Sequence, residues 1–374
     1  MNNTECGGFT VCVIPCEDVQ GWEQVLEECH CFDFHHLPSY HLMAQRRGEG
    51  SGILLVYREG AKVAAMPLLI RSLQSVPGLE NCSAEWYDAT SVYGYAGPVC
   101  SRTVSMDDDF AQRFGVALLR KLRGIGVICV FSRLHPILEN AVLLNHVGEV
   151  LSLGKTVSID LTLPPEMQFA NYRKGHKYDI NRARRFGVTA RHDVEWKALD
   201  NFIRLYMDTM QRVGAREKYF FDQDYFLELR AALEHRLHLF VAEKGETVLA
   251  AALFTLTNSI VQYHLSASDP KYMKYAPSKV LLDEVRIWST RQGARVFHLG
   301  GGVGSSEDGV FKFKAGFSDR RHRFKVWRCV VIREVYDRLV LRRIEWEERK
   351  DLSPISADHF PLYRRPVASE ESSS

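Results

Sequence analysis

A short pattern that recurs half a chain apart constrains this sequence more than any other feature. Leu54-Leu55-Val56-Tyr57-Arg58-Glu59-Gly60-Ala61-Lys62-Val63-Ala64-Ala65 is echoed, 185 residues later, by Leu239-Phe240-Val241-Ala242-Glu243-Lys244-Gly245-Glu246-Thr247-Val248-Leu249-Ala250. Each reads as a strand, a charged turn centred on glycine, and a second strand of small and apolar residues. Glycine supplies the positive backbone angle that a tight hairpin turn requires. A copy at half the chain length points to duplication of a whole domain. The 374 residues are also too many for one ordinary core and suit two domains.

The surroundings of the two hairpins are alike. Trp22–Cys31 and Pro38–Arg47 carry helix-spaced apolar positions before the first, and Leu199–Val213 and Asp224–Glu234 before the second. After the second hairpin the pattern predicts a strand over Ser259–Ser266, a helix over Ser278–Gln292 and a strand over Arg295–Leu299. The first half repeats this more loosely, with a helix over Phe110–Arg123 and a strand over Val127–Phe131. Pro164-Pro165 discourages regular structure and marks the expected boundary. The expected units are residues 1–163, residues 164–332, a charged helix and closing segment over 333–367, and a disordered Ser/Glu-rich tail over 368–374. The solvated face of the 333–350 helix accounts for its charge.

Composition excludes several classes. Charged residues are 25% and hydrophobic ones 46%, a globular balance, and the net charge is only +2, so the molecule is no polycation. No basic segment followed by an apolar run opens the chain, and no stretch reaches the roughly 18 apolar residues that span a bilayer. No integral membrane association and a cytoplasmic location are expected. The nine scattered cysteines are odd in number and read as reduced thiols. Cys29, His30, Cys31, His35 and His36 lie close together, with Cys12 and Cys16 upstream. Zinc ligands come as spaced pairs matched by a second pair, and none is present here, so no metal is expected.

The near-neutral total conceals two basic segments. Asn171–Arg191 and Lys312–Arg328 each hold seven Lys or Arg against one Asp. Such separation creates a local field. On a helix, Arg173, Lys177 and Arg184 fall on one side, with Arg185 adjoining, while Tyr172, His176, Ile180 and Ala183 face the protein. A basic stripe on an anchored helix suits a phosphate-bearing ligand: tRNA, coenzyme A or a nucleotide sugar. A solvated helix face is the alternative.

The strand Val296-Phe297-His298-Leu299 runs into Gly300-Gly301-Gly302-Val303-Gly304. Neither a Walker loop nor a Rossmann glycine pattern is formed. Such glycines permit close approach of a ligand or tight crossing of another strand. Together with Ser266-Ala267-Ser268, Tyr275-Ala276-Pro277-Ser278 and Phe313-Lys314-Ala315-Gly316-Phe317, this loop resembles the C-terminal half of the Fem transferases. Phe34-His35-His36-Leu37-Pro38-Ser39-Tyr40, the stretch from Asp88 through Ser91-Val92-Tyr93-Gly94-Tyr95-Ala96-Gly97-Pro98, Arg182-Arg184-Arg185-Phe186-Gly187-Val188 and Phe360-Pro361-Leu362-Tyr363-Arg364 resemble further pieces of that family, in order. The resemblance spans about residues 30 to 365.

The resemblance implies a mixed α/β fold of two tandem acetyltransferase-like (GNAT) domains and amide formation by acyl transfer. Well-known Fem members use aminoacyl-tRNA to extend a peptidoglycan precursor; others build small peptides or natural products. For this chain it implies an aminoacyl-tRNA partner and a small-molecule or precursor amine as acceptor, with the acyl donor a co-substrate and no tightly bound cofactor. Lys314 matches the family's Phe-Lys motif and is expected to stabilise the oxyanion, with Phe313 and Phe317 excluding water. Asp88 and His264 are the candidate bases, Asp88 alternatively orienting the acceptor beside Tyr93. Arg173, Lys177, Arg184, Arg185, Tyr275, Ser278, Gly300, Gly301 and Gly302 are expected to bind the donor. Two departures matter. No pair of long heptad helices is present, and the Arg/Gln-x-x-Gly-x-Gly/Ala loop of coenzyme A users survives only as the fragment Arg291-Gln292-Gly293-Ala294. An acyl-CoA-dependent N-acyltransferase and a non-catalytic RNA-binding module are the rival readings.

Overall fold

In the computed structural model, which describes residues 4–6, 8–104, 107–355 and 358–369, both glycine turns form as their sequences require. The chain runs β1 (Thr4–Cys6), β2 (Phe9–Pro15), α1 (Val19–Cys29), α2 (Pro38–Arg46), β3 (Ser51–Glu59), β4 (Lys62–Ser72), β5 (Tyr87–Thr90), β6 (Val99–Cys100), α3 (Asp108–Gly124), β7 (Val127–Arg133) and β8 (Glu149–Asp160). It continues with α4 (Pro165–Ala170), α5 (Lys174–Arg185), β9 (Thr189–His192), α6 (Leu199–Arg212), α7 (Gln223–Leu233), β10 (Leu237–Lys244), β11 (Thr247–Thr257), β12 (Ile260–Ser268), α8 (Pro277–Arg291), β13 (Val296–Gly300) and α9 (Gly309–Lys314). It closes with β14 (Arg321–Val330), α10 (Arg333–Arg349), β15 (Leu352–Pro354) and β16 (Val367–Ser369).

The chain forms two compact units, residues 1–153 with 325–374, and residues 154–324. In the first, β2, β3 and β4 are antiparallel neighbours, β5 pairs β4 antiparallel and β7 parallel, and β14 pairs β7 antiparallel. In the second, β9, β10, β11 and β12 follow one another antiparallel, β13 pairs β12 parallel, and β8 pairs β13 antiparallel. The hairpins match closely: Gly60 opens the β3–β4 turn at φ 57°, and Gly245 the β10–β11 turn at φ 58°.

Each unit has its own core. In the first, α3 begins where the Asp107 carboxylate accepts from Phe110 N at 2.9 Å. Phe110, Phe114, Leu118 and Leu122, spaced by four, then share one buried face, and Tyr57 meets Phe110 edge-on at 5.2 Å. Burying each such aromatic contributes about 1.5–3 kcal/mol. In the second, Phe240, Phe254, Phe297, Phe311 and Phe317 gather with Leu281, Leu282 and Val285 of α8. Helix α5 has the amphipathic form expected of it, with His176, Ile180 and Ala183 buried.

The unit boundaries differ from those expected. Pro165 begins α4 at a position where a missing N–H costs nothing, and it lies inside the second unit. The 333–367 segment is no separate element. Helix α10 buries Val335, Tyr336 and Leu339 with Leu73, Val76, Leu79 and Ile128, inside the first unit. Its Arg343 and Glu347 are also buried and paired at 2.8 Å, so its charge is not simply a solvated face. The expected disordered tail begins too early. Ala368 and Ser369 pair with Ser353 and Leu352, and residues 370–374 lie outside the described residues. Among the described residues no helix is long and apolar enough to cross a membrane.

Candidate active site

Strands β12 and β13 part company, and the candidate site lies where they do. Their parallel ladder covers Ile260–Gln262 against Val296–His298 and then ends, while β12 continues along β11 as far as Ser268. At the parting, Leu253 faces Leu265 and Phe254 faces Tyr263, so His264 is the extra residue of a β-bulge. The bulge turns β12 away from β13 and opens a fork in the sheet.

Lys314 reaches this fork. It ends the short helix α9, whose start is capped by Asp308 accepting from Phe311 N at 2.9 Å. Its half-buried side chain sends Nζ to the Gly301 carbonyl at 2.7 Å and over the Tyr263 ring at 5.7 Å. Removal from water lowers the Lys314 pKa to about 8, opposed only in part by Asp308. The same burial raises the Tyr263 phenol to about 12. A desolvated cation with a carbonyl at one of its three protons is suited to meet a developing oxyanion.

The glycines serve the protein's own backbone. Gly300 takes φ 77°, where a side chain is strained. A Cβ on Gly301 would lie 2.9 Å from the Lys155 carbonyl, and one on Gly302 would lie 2.1 Å from the Ser306 carbonyl. Close crossing of protein backbone, one of the two uses such a loop allows, is thus present here. Phe313 is half-buried against Phe317 at 5.4 Å and His176 at 5.8 Å. Ser278 does not cap α8, whose N-cap is Ala276; its hydroxyl bonds the Ser268 hydroxyl at 2.6 Å, tying the end of β12 to the helix.

The basic helix is less free than its charge count suggests. Arg184 pairs with the buried Asp283 at 2.7 Å, and Asp283 also accepts from Tyr172 at 3.0 Å and Arg286 at 2.8 Å. Lys177 donates to the Ala170 carbonyl at 3.0 Å, and Arg173 Nε to His176 Nδ1 at 3.3 Å. Arg185 is exposed. Beyond the helix, Lys244 and Lys274 stand over the Tyr275 ring at 4.8 and 5.2 Å, and Phe186 meets that ring edge-on at 6.1 Å. Tyr263, Asp308, Lys244 and Lys274 carried no signal in the sequence. His264 is half-buried on the bulge, one residue from Tyr263.

Asp88 and Tyr93 belong to the first unit. Asp88 is fully buried on β5 and accepts from Arg71 Nε at 2.7 Å, from Tyr363 at 3.2 Å and from Arg364. Two guanidiniums and a phenol hold this carboxylate, and through Tyr363 and Arg364 it ties the closing segment to β5. Two stretches that read as separate motifs, around Asp88 and around Tyr363, are one ion-pair cluster. The Tyr93 carbonyl accepts from Tyr40 at 3.1 Å, and its ring is partly exposed.

Two histidines of the first unit, His35 and His135, gather around the Asp33 carboxylate. His35 Nδ1 stands 3.4 Å from Asp33 Oδ2, and His135 Nε2 stands 3.0 Å from the same oxygen, all three side chains buried. Ring geometry decides between metal and hydrogen bond. His135 Nδ1 accepts from Ile137 N at 3.2 Å and Leu138 N at 3.3 Å, so its proton sits on Nε2 and points at Asp33. A metal on Nε2 would move that proton to Nδ1, against two N–H groups. The donor set therefore fits a hydrogen-bonded pair better than a metal centre. Burial alone would raise Asp33; the hydrogen bonds from His135 and His35 hold it well below the carboxylate range.

Residues 170–314 match the acetyltransferase (GNAT) domain model, the segment that carries the fork, Gly301 and Lys314. That segment, which lies within the second unit, is thus of the GNAT acetyltransferase type. Among solved structures, FemX aligns with a TM-score of 0.67 at 11% identity, over 90% of this chain and 99% of that one. The C-terminal domain of a putative lysylphosphatidylglycerol synthetase from Agrobacterium fabrum aligns with a TM-score of 0.52 at 16% identity, over 87% of this chain and 96% of that one. At these identities the likeness establishes the fold alone: a mixed α/β chain with a FemX-like fold, whose second unit carries the GNAT-type segment. No curated protein matches the sequence.

Proposed function

We propose that the protein forms an amide bond by moving an aminoacyl group from aminoacyl-tRNA to the amine of a small molecule or a peptidoglycan-type precursor. The desolvated Lys314 ammonium at the β12–β13 fork carries this reading. The acceptor nitrogen attacks the ester carbonyl carbon, and the carbonyl oxygen takes negative charge beside Lys314 Nζ. Collapse breaks the bond to the ribose oxygen, which leaves with the proton given up by the nitrogen. Tyr263 lines the approach with apolar surface, which strengthens the ion–oxyanion attraction.

The donor reading draws support from the segment between β12 and α8, Asp269–Ala276, and the start of α8. It contains no glycine, and Pro277 removes an N–H at the first position of α8. A coenzyme A pyrophosphate would lose the backbone amides that a glycine loop offers. Lys271 and Lys274 stand there instead, with Arg182 donating to the Lys274 carbonyl at 2.5 Å. Phe186 and Met273 beside them are 52% and 56% exposed, an apolar and cationic surface suited to the backbone and bases of an RNA end.

The test supplies purified protein with a labelled aminoacyl-tRNA pool and a panel of amines and cell-wall precursors. Ribonuclease-sensitive amide product is expected, with kcat in Lys314→Ala reduced about a hundred- to thousandfold. Thiol release from acyl-CoA under the same conditions, with no product from aminoacyl-tRNA, would replace this donor. RNA binding that Lys314→Ala weakens, with no turnover from either donor, would make the chain a binding module.

A further inference from the structure

Lys314 lies between two backbone carbonyls that helix α5 grips. The Arg173 N–H, at the N-cap of α5, donates to the Gly316 carbonyl at 2.9 Å. One turn along, His176 Nε2–H donates to the Phe313 carbonyl at 2.8 Å. That carbonyl belongs to the peptide bond joining Phe313 to Lys314, so the imidazole fixes the peptide plane from which the lysine side chain starts. The ring is itself held. Arg173 Nε donates to its Nδ1 at 3.3 Å, and Phe317 packs edge-on at 4.6 Å.

Gly316 completes the fit. A Cβ there would lie 2.4 Å from His176 Nε2, so the chain approaches the ring as closely as only glycine permits. In the Phe-Lys-x-x-Phe run, the glycine thus makes room for a histidine 140 residues earlier.

We infer that His176 is a positioning residue for Lys314: its Nε2–H bond to the Phe313 carbonyl aims the lysine side chain into the β12–β13 fork. The inference rests on the proposed role of Lys314, but its geometry does not depend on which acyl donor is used. His176 touches no reacting atom. It is buried and neutral at physiological pH, because burial, with the nearby Lys279 and Arg173, lowers its pKa to about 4 despite the Phe313 carbonyl bond and Asp179, which oppose. With Arg173 donating to Nδ1 and the Phe313 carbonyl accepting at Nε2, one tautomer satisfies both bonds. The groups facing Lys314 itself are Asp308, the Gly301 carbonyl and the Tyr263 ring. Release of the Phe313–Lys314 peptide lets the ammonium swing toward water, and its titration then returns toward an ordinary lysine.

The test reads Lys314 directly in the full chain. Competitive acetylation across pH, followed by mass spectrometry of the Lys314 peptide, gives the titration of that one amine without any substrate. The wild type is expected to titrate near 8. His176→Leu, which keeps apolar bulk and loses the donor, is expected to move Lys314 toward the ordinary value near 10.5. His176→Gln, which restores an N–H donor, is expected to return it toward the wild-type value. Gly316→Ala, which displaces the ring without altering it, is expected to act like His176→Leu and decides the matter if that variant does not fold. A folded His176→Leu or Gly316→Ala protein whose Lys314 titrates as in the wild type overturns the inference. In the transfer assay, kcat is expected to fall by up to about a hundredfold with the KM for the amine unchanged. Absence of transfer by the wild type, with Lys314 near 8, would sink the proposed function and leave the positioning role standing.

Discussion

The two units treat the same junction in opposite ways. In both, a glycine hairpin is followed by a strand that pairs antiparallel with the hairpin and parallel with the strand after the next long helix. In the first unit, the β5–β7 ladder runs through Thr90–Phe131 and is prolonged, with Ser91 N donating to the Phe131 carbonyl at 3.1 Å and Ala96 bridging Leu134. In the second, the β12–β13 ladder stops after Gln262–His298 while β12 runs on. The first junction is closed and holds a carboxylate neutralised by Arg71 and Arg364. The second is open and holds a half-buried lysine. A shared plan thus yields one unit in which a buried charge is enclosed by opposite charges and one in which a charge stands at an open fork.

The largest expected effect tests the open fork. Lys314→Ala should reduce kcat about a hundred- to thousandfold, roughly 3–4 kcal/mol of barrier, with the melting temperature unchanged. A melting temperature that falls while turnover persists would make this lysine an anchor like Asp88 and erase the contrast. The matching test of the closed junction is Asp88→Ala. It should cost about 3 kcal/mol in denaturant unfolding, because two guanidiniums lose a buried partner. Lost transfer with undiminished stability would instead return Asp88 to the active site.

A smaller effect is set by protons. Burial lowers His36 to about 3 and His41 to about 4 and lowers His35 as well, so the folded first unit binds these protons less readily than the unfolded chain. Stability should therefore be full above the ordinary histidine value near 6.5 and fall as pH drops from there toward 4. The slope is up to about 1.4 kcal/mol per pH unit for each histidine. Trp22, whose Nε1–H donates to the His36 carbonyl at 2.9 Å and whose ring lies 5.0 Å from His41, is a local fluorescent reporter. His41→Gln should remove one histidine's share of the slope; an unchanged slope would show that this ring is not charged on unfolding.

The smallest effect tests the shared plan. Gly60→Ala and Gly245→Ala add a Cβ that meets nothing within 4 Å, so only the left-handed backbone is strained. Each should cost about 1–2 kcal/mol, and nearly the same amount. Unequal costs would show that the two turns are not equivalent.

What could be read in the sequence was what neighbours along the chain decide. Gly60 and Gly245 announced their turns because the constraint is local, and α3, α5 and α8 announced their buried faces because helical spacing spans only a few residues. Lys314 was singled out through a short motif around it. The charge count misled because partners lie far away: Arg184 meets Asp283, and Arg364 meets Asp88, across long stretches of chain. His135 went unnoticed because Asp33 lies 102 residues from it. Nothing near Lys314 in sequence announces Tyr263, since a bulge at His264 brings that ring to the fork.

The sequence by itself determined that the chain would build two hairpin-centred α/β units, because strand and helix patterning and glycine turns are set by side chains close in the chain. Only the tertiary structure decided which charge is enclosed by opposite charges and which stands at an open fork. A group's protonation and reach depend on how much water it loses and which distant partners face it. Asp88 and Lys314 are both taken from water; one is met by two cations and a phenol, the other by a carbonyl and an aromatic ring at an open fork.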